Sequence, residues 1–134
     1  MTTATAMLDT HPGNLIANRD LLAHTIDELI RCSQTCTACA DACLSEPDVV
    51  DLITCIRRNL DCADVCDATA RLLTRQSGED LATARAMLQT CVVACRTCQE
   101  VCRRHADHHE HCRVCADACD RCRQVCEQLL ISLS

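Results

Sequence analysis

Cys112, Cys115, Cys119, Cys122 and Cys126 follow one another at steps of 3, 4, 3 and 4. On an α-helix that rhythm puts five thiols on one stripe, because it stays close to the helical period. The spacing recurs at Cys32, Cys36, Cys39 and Cys43, at Cys55, Cys62 and Cys66, and at Cys91, Cys95, Cys98 and Cys102, which makes 16 cysteines in 134 residues. Thiols in such number can pack as small hydrophobes, pair as disulfides, or bind soft metal ions as thiolates.

Four helices must position these stripes. Residues 1 to about 13 are small and polar, end in His11-Pro12-Gly13, and read as a loose arm ahead of one domain over 14–134. The first helix, about 14–44, carries Leu15, Leu22, Ile26 and Leu29 into its four cysteines. Ser45-Glu46-Pro47-Asp48 stops it, and Ser with Asp three residues on reads as a capping box. The second helix, about 47–75, turns Leu52, Cys55, Asn59, Cys62, Cys66, Thr69 and Leu73 inward, and Ser77 to Asp80 repeats the stop. The third, about 79–105, aligns Leu81, Ala84, Leu88, its four cysteines and His105. After a turn at Arg104 to Asp107, with Asp107 as cap and Glu110 at the third helical position, the fourth runs about 108–131 and finishes in Leu129, Leu130 and Leu133. The expectation is an all-α, antiparallel up-down four-helix bundle with a cysteine-lined core.

In that topology the first and third interhelical loops share one end. They bring Cys43, Cys102 and Cys112 together with His105, His108, His109 and His111, while Leu15, Leu22, Leu73, Leu81 and Leu133 mark the other end. The fourth stripe alone spans roughly 21 Å. The expected molecule is a tube of ligands, closed by leucine and open at a histidine-ringed mouth.

Packing alone accounts poorly for it. There is no Phe, Trp or Tyr, and a core of Ala and Cys gives less burial than Leu or Ile would. Disulfides fit no better: i,i+3 and i,i+4 neighbours have Cβ atoms about 5–6 Å apart, against the roughly 3.5–4.5 Å that a bridge needs. Cross-helix bridges would need an oxidising compartment, whereas Met1 to Asn14 shows no export signal and no stretch could span a membrane. A cytosolic, reduced protein is expected. The net charge of −6, 13 Arg without Lys, and the lack of aromatics argue against nucleic acid.

Metal binding uses every feature. Cu(I) is soft and takes thiolates, and with bridging sulfurs the capacity would be about one ion per cysteine, on the order of 16. Zinc would want discrete four-ligand sites, and the C-x2-C-x2-C-x3-C-P pattern of iron–sulfur proteins is absent, although pairs such as Cys95/Cys98 look ferredoxin-like. At the mouth, His105 continues the third stripe one step beyond Cys102, His109 is i−3 from Cys112, and His111 is i−4 from Cys115. These three are candidate ligands that hand Cu(I) inward or hold a few ions; His108 is a secondary choice, and His11 and His24 have no assigned role. Asn59 sits where the second rhythm calls for a cysteine. As a buried amide it needs partners, either a hydrogen bond across the bundle or a place on a polar branch of the copper path.

The stripes at 32/36/39/43, 55/62/66, 91/95/98/102 and 112/115/119/122/126 resemble those of the bacterial copper storage proteins, specifically their cytosolic branch, over residues 14–131. The resemblance implies a four-helix bundle that binds many Cu(I) ions through core cysteines and assembles as a homotetramer. Exported members carry a twin-arginine signal and a methionine-rich mouth; this chain has neither, and histidines stand at its mouth as in cytosolic relatives. The expected role is copper sequestration and homeostasis without catalysis. The alternatives are a zinc or mixed-metal thiolate buffer and a copper chaperone; a Cys112–His109 nucleophile is a weaker one, since no third orienting group is legible.

Overall fold

A computed structural model of the chain describes residues 1–78 and 80–133. Five helices appear in it: α1 (Thr3–Asp9), α2 (Arg19–Leu44), α3 (Ile53–Thr74), α4 (Leu81–His105) and α5 (Glu110–Ser132), with a 3-10 turn at Val49–Leu52 before α3. α2 packs on α3 and α5, and α4 packs on the same two, so α2–α5 form a square bundle with antiparallel neighbours. The all-α bundle with a cysteine-lined core is thus the fold, and no strand occurs among the described residues.

The N-terminal segment differs from the expected loose arm. Thr2 caps α1 by accepting the Thr5 N–H, Leu8 is buried in the common core, and the Asp9 carboxylate takes two hydrogen bonds of 2.6 Å from Arg19. Seven residues make too short a helix to persist alone. Docking on α2 supplies the missing stability.

The boundaries follow the caps. Asn18, and not a residue near 14, starts α2: its Oδ1 accepts the N–H groups of Asp20 and Leu21. The preceding residues lie over the closed end, where Ile16 N–H donates to Gln76 Oε1 at 2.9 Å and Gln76 Nε2 donates to Leu73 O. Ser45 ends α2 through its backbone N–H, and neither Ser45 nor Asp48 forms the expected capping box; α3 begins only after the 3-10 turn. Asp80 caps α4 by accepting the Ala82 N–H at 2.8 Å, whereas the expected start at Glu79 lies outside the described residues, as does Ser134. Asp107 is no cap for α5, which is entered from His109 at the end of a turn that also holds His108.

Leu22, Leu29, Leu73, Leu88 and Leu129 are fully buried and fill the half of the bundle opposite the α2–α3 and α4–α5 loops. The buried hydroxyls of Thr25 and Thr69 are satisfied by the carbonyls of Leu21 and Val65 one turn back. Small residues such as Ala63, Ala70, Ala84 and Ala116 are buried along the seams, although Ala38 faces solvent. Most of the remaining interior is sulfur, with Ile26, Leu52, Val101, Val125 and Asn59 buried beside it.

Candidate metal centre

All 16 cysteines are buried free thiols. Beginning near the leucine end, Cys91 Sγ lies 3.9 Å from Cys126 and 3.6 Å from Cys66. Cys66 in turn reaches Cys62 and Cys95 at 3.8 Å and Cys122 at 3.9 Å. Cys32 stands 4.0 Å from Cys62, and 3.9 Å from both Cys36 and Cys119. Cys36 meets Cys119 and Cys115 at 3.6 Å. Towards the mouth Cys98 lies 3.9 Å from Cys102, which is 3.6 Å from Cys55, and Cys39 is 4.0 Å from Cys112.

These spacings have a chemical meaning. Two sulfurs bound at about 2.3 Å to one ion lie roughly 3.8–4.0 Å apart in tetrahedral or trigonal geometry, while a disulfide holds them at about 2.05 Å. The thiols are therefore set for metal before any metal arrives. Ligand atoms within 4.8 Å of one another form overlapping groups: Cys32/Cys66/Cys95/Cys122, Cys32/Cys36/Cys62/Cys119, Cys36/Cys98/Cys115/Cys119, Cys39/Cys55/Cys102, and Cys39/Cys43/His111/Cys112. Cys32, Cys36, Cys39 and Cys119 each belong to at least two groups, so shared sulfurs are built into the arrangement.

Bare thiolates would be costly there. Burial pushes the Cys43 thiol up, and the neighbouring Cys39 and Cys55 reinforce it. Hydrogen bonds with Cys122 and Cys91, together with burial, raise Cys126 in the same sense. Burial opposes ionisation of these thiols, and a soft cation that binds them as thiolates must displace protons.

Asn59 belongs to this core more closely than its spacing alone could show. Its Oδ1 accepts the thiols of Cys98 and Cys115 at 3.0 Å and of Cys102 at 3.5 Å, and its Nδ2 donates to Cys55 at 3.6 Å. The cross-bundle hydrogen bond expected of it exists, with sulfur as the partner.

The histidines divide. His111 Nδ1 lies 3.4 Å from Cys39 Sγ and 3.7 Å from Cys112 Sγ, so this ring reaches the thiols. His109 reaches carboxylates instead: Nδ1 pairs with Glu46, and Nε2 lies 2.9 Å from Asp48 Oδ2. The hydrogen bond with Asp48, and the charges of Asp48 and Glu46, raise His109 above its ordinary value; the same bond lowers Asp48. His105 ends α4 half-buried and makes no hydrogen bond to a thiol among the described residues, and His108 is exposed. Glu46 and Asp48 carried no ligand-like spacing, because they meet His109 only when two loops distant in sequence close over one end of the bundle.

A family model described as copper storage protein, Csp, matches residues 18–131. The chain belongs to the copper storage protein family. Among solved structures it is similar to the copper storage protein Ccsp from Streptomyces lividans loaded with 10 copper equivalents, with a TM-score of 0.95 and 52% identity over 98% of this chain and 100% of that one. A five-copper form of a cytosolic copper storage protein from the same organism superposes with a TM-score of 0.84 at 56% identity, covering 86% and 96%. The cysteine-rich protein YhjQ of Bacillus subtilis (strain 168) is 31% identical over 104 residues, or 78% of this chain and 91% of that protein. The Streptomyces lividans structures thus share this chain's bundle and about half of its sequence.

Proposed function

We infer that this protein stores Cu(I), taking up many ions through its core thiolates and so buffering and sequestering copper. The observation that carries this reading is the column of sulfurs, 3.6–4.0 Å apart within clusters and joined from cluster to cluster by ligand groups within 4.8 Å, so that no four-ligand site stands alone. Sixteen mostly bridging thiolates give a capacity of about 16 Cu(I). Zinc would instead close separate sites of four cysteines each, and a chaperone would expose a single pair; neither matches a buried column that shares sulfurs. The relatives loaded with five and 10 coppers support the same assignment.

The ligands we assign are Cys32, Cys36, Cys39, Cys43, Cys55, Cys62, Cys66, Cys91, Cys95, Cys98, Cys102, Cys112, Cys115, Cys119, Cys122 and Cys126. His111 is the histidine placed to pass copper to them, since its Nδ1 reaches Cys39 and Cys112. His105 and His109 then act at the mouth, outside the thiol column. We assign the protein a storage role rather than a catalytic one, on the family it matches. A cytoplasmic location is supported by the relative described as cytosolic. A homotetrameric assembly rests on the family resemblance.

The test is an anaerobic Cu(I) titration of the reduced protein against a chromophoric competitor. An endpoint near one copper per cysteine is expected. An endpoint at one or two would overturn storage in favour of a chaperone.

A further inference from the structure

The mouth holds a second group of metal-binding side chains whose chemistry is not that of the thiol column. Glu46, in the loop after α2, brings its Oε2 against His109 Nδ1 and to 3.9 Å from His111 Nε2. The two imidazoles stack with centroids 5.4 Å apart and planes at 25°, so their outward edges face the same carboxylate. His111 Nε2 is buried and has no hydrogen-bond partner. A buried ring nitrogen left in that state costs free energy unless something binds it.

We propose that His109 Nδ1, His111 Nε2 and the Glu46 carboxylate form a separate site for one zinc-class divalent ion. Two imidazoles and a carboxylate suit borderline divalent ions, with the fourth position open to water, whereas Cu(I) prefers the sulfurs below. Nitrogen and oxygen ligands sit about 2.0–2.2 Å from such an ion, hence roughly 3.3–3.6 Å from one another: the His111–Glu46 pair, now 3.9 Å apart, closes slightly, and the Glu46–His109 pair, now in direct contact, opens to admit the ion. Asp48 completes the arrangement: its Oδ2 accepts from His109 Nε2 at 2.9 Å, as carboxylates commonly do behind a metal-bound histidine. His111 faces both ways. Its Nδ1 lies 3.4 Å from Cys39 Sγ, while its Nε2 lies on the Glu46 side of the ring. The ion takes the place of the hydrogen shared by Glu46 and His109, and it sits above the entrance to the copper column.

This site goes beyond copper storage, and one sample separates the two. The protein is first filled with Cu(I) anaerobically and its copper content measured, then titrated with Co(II) as a spectroscopic probe for zinc. The expected result is one Co(II) per chain with visible ligand-field bands and no near-ultraviolet sulfur-to-cobalt charge transfer. E46Q should abolish the bands, and D48N should weaken binding roughly ten- to a hundredfold. Absence of bound cobalt, a sulfur charge-transfer band, or binding indifferent to E46Q and D48N would each overturn the site. Low copper content would count against storage alone, because the cobalt bands are read independently.

Discussion

Asn59 occupies the position at which the 55, 59, 62, 66 rhythm of α3 calls for sulfur, and three thiols point at its oxygen. N59C should extend the column and raise the titration endpoint by about one Cu(I). An unchanged endpoint would mean that the amide oxygen already serves an ion. His111 is the ring in reach of thiols, so H111A should slow copper loading more than H105A does, with stopped-flow loading rates as the readout. Equal rates would deny His111 a gateway role beyond that of His105. The cysteines were legible because spacing alone puts them on one face. The two roles of His111 and His109 were not: both precede cysteines at helical spacing, and only the loop carrying Glu46 and Asp48 decides which ring turns inward.

Among the elements, α1 was the one hidden from periodicity, because a seven-residue helix has room for a single buried anchor, Leu8. Its docking is testable apart from the bundle. L8A should cost about 2 kcal/mol of local stability and expose the amides of residues 3–9 to hydrogen exchange, with those of α2–α5 still protected. Acid should do the same. Asp9 is held below its ordinary value by the hydrogen bond from Arg19, so this contribution is fully present above the unfolded carboxylate pKa of about 3.9 and fades as pH falls through the lowered folded value. Exchange at residues 3–9 that stayed constant through that acid range would argue against the Asp9–Arg19 tether. The long helices were readable for the opposite reason, since each repeats its inward residues over many turns. Their ends were less so: Asn18 caps α2 from a position that looked helical, and the Ser45–Asp48 box never closes because Asp48 is taken by His109.

At the level of the whole molecule, leucine at one end separates folding from metal binding. The reduced, metal-free protein should therefore give a helical circular dichroism spectrum, and copper should raise its melting temperature, because the clustered thiols of the folded state bind it more tightly than those of the unfolded chain. A coil spectrum without metal would show that copper is needed to fold the chain. The closed end also fixes the order of traffic. Copper held between Cys91 and Cys126 has Leu88 and Leu129 beyond it, and the way out passes the other sulfurs. This layout predicts a stack rather than a tank: the ions that enter last should be the first to leave. Copper charged first with one isotope and topped up with another should be surrendered to a chelator in reverse order, and a mixed release would mean that ions trade places inside faster than they depart.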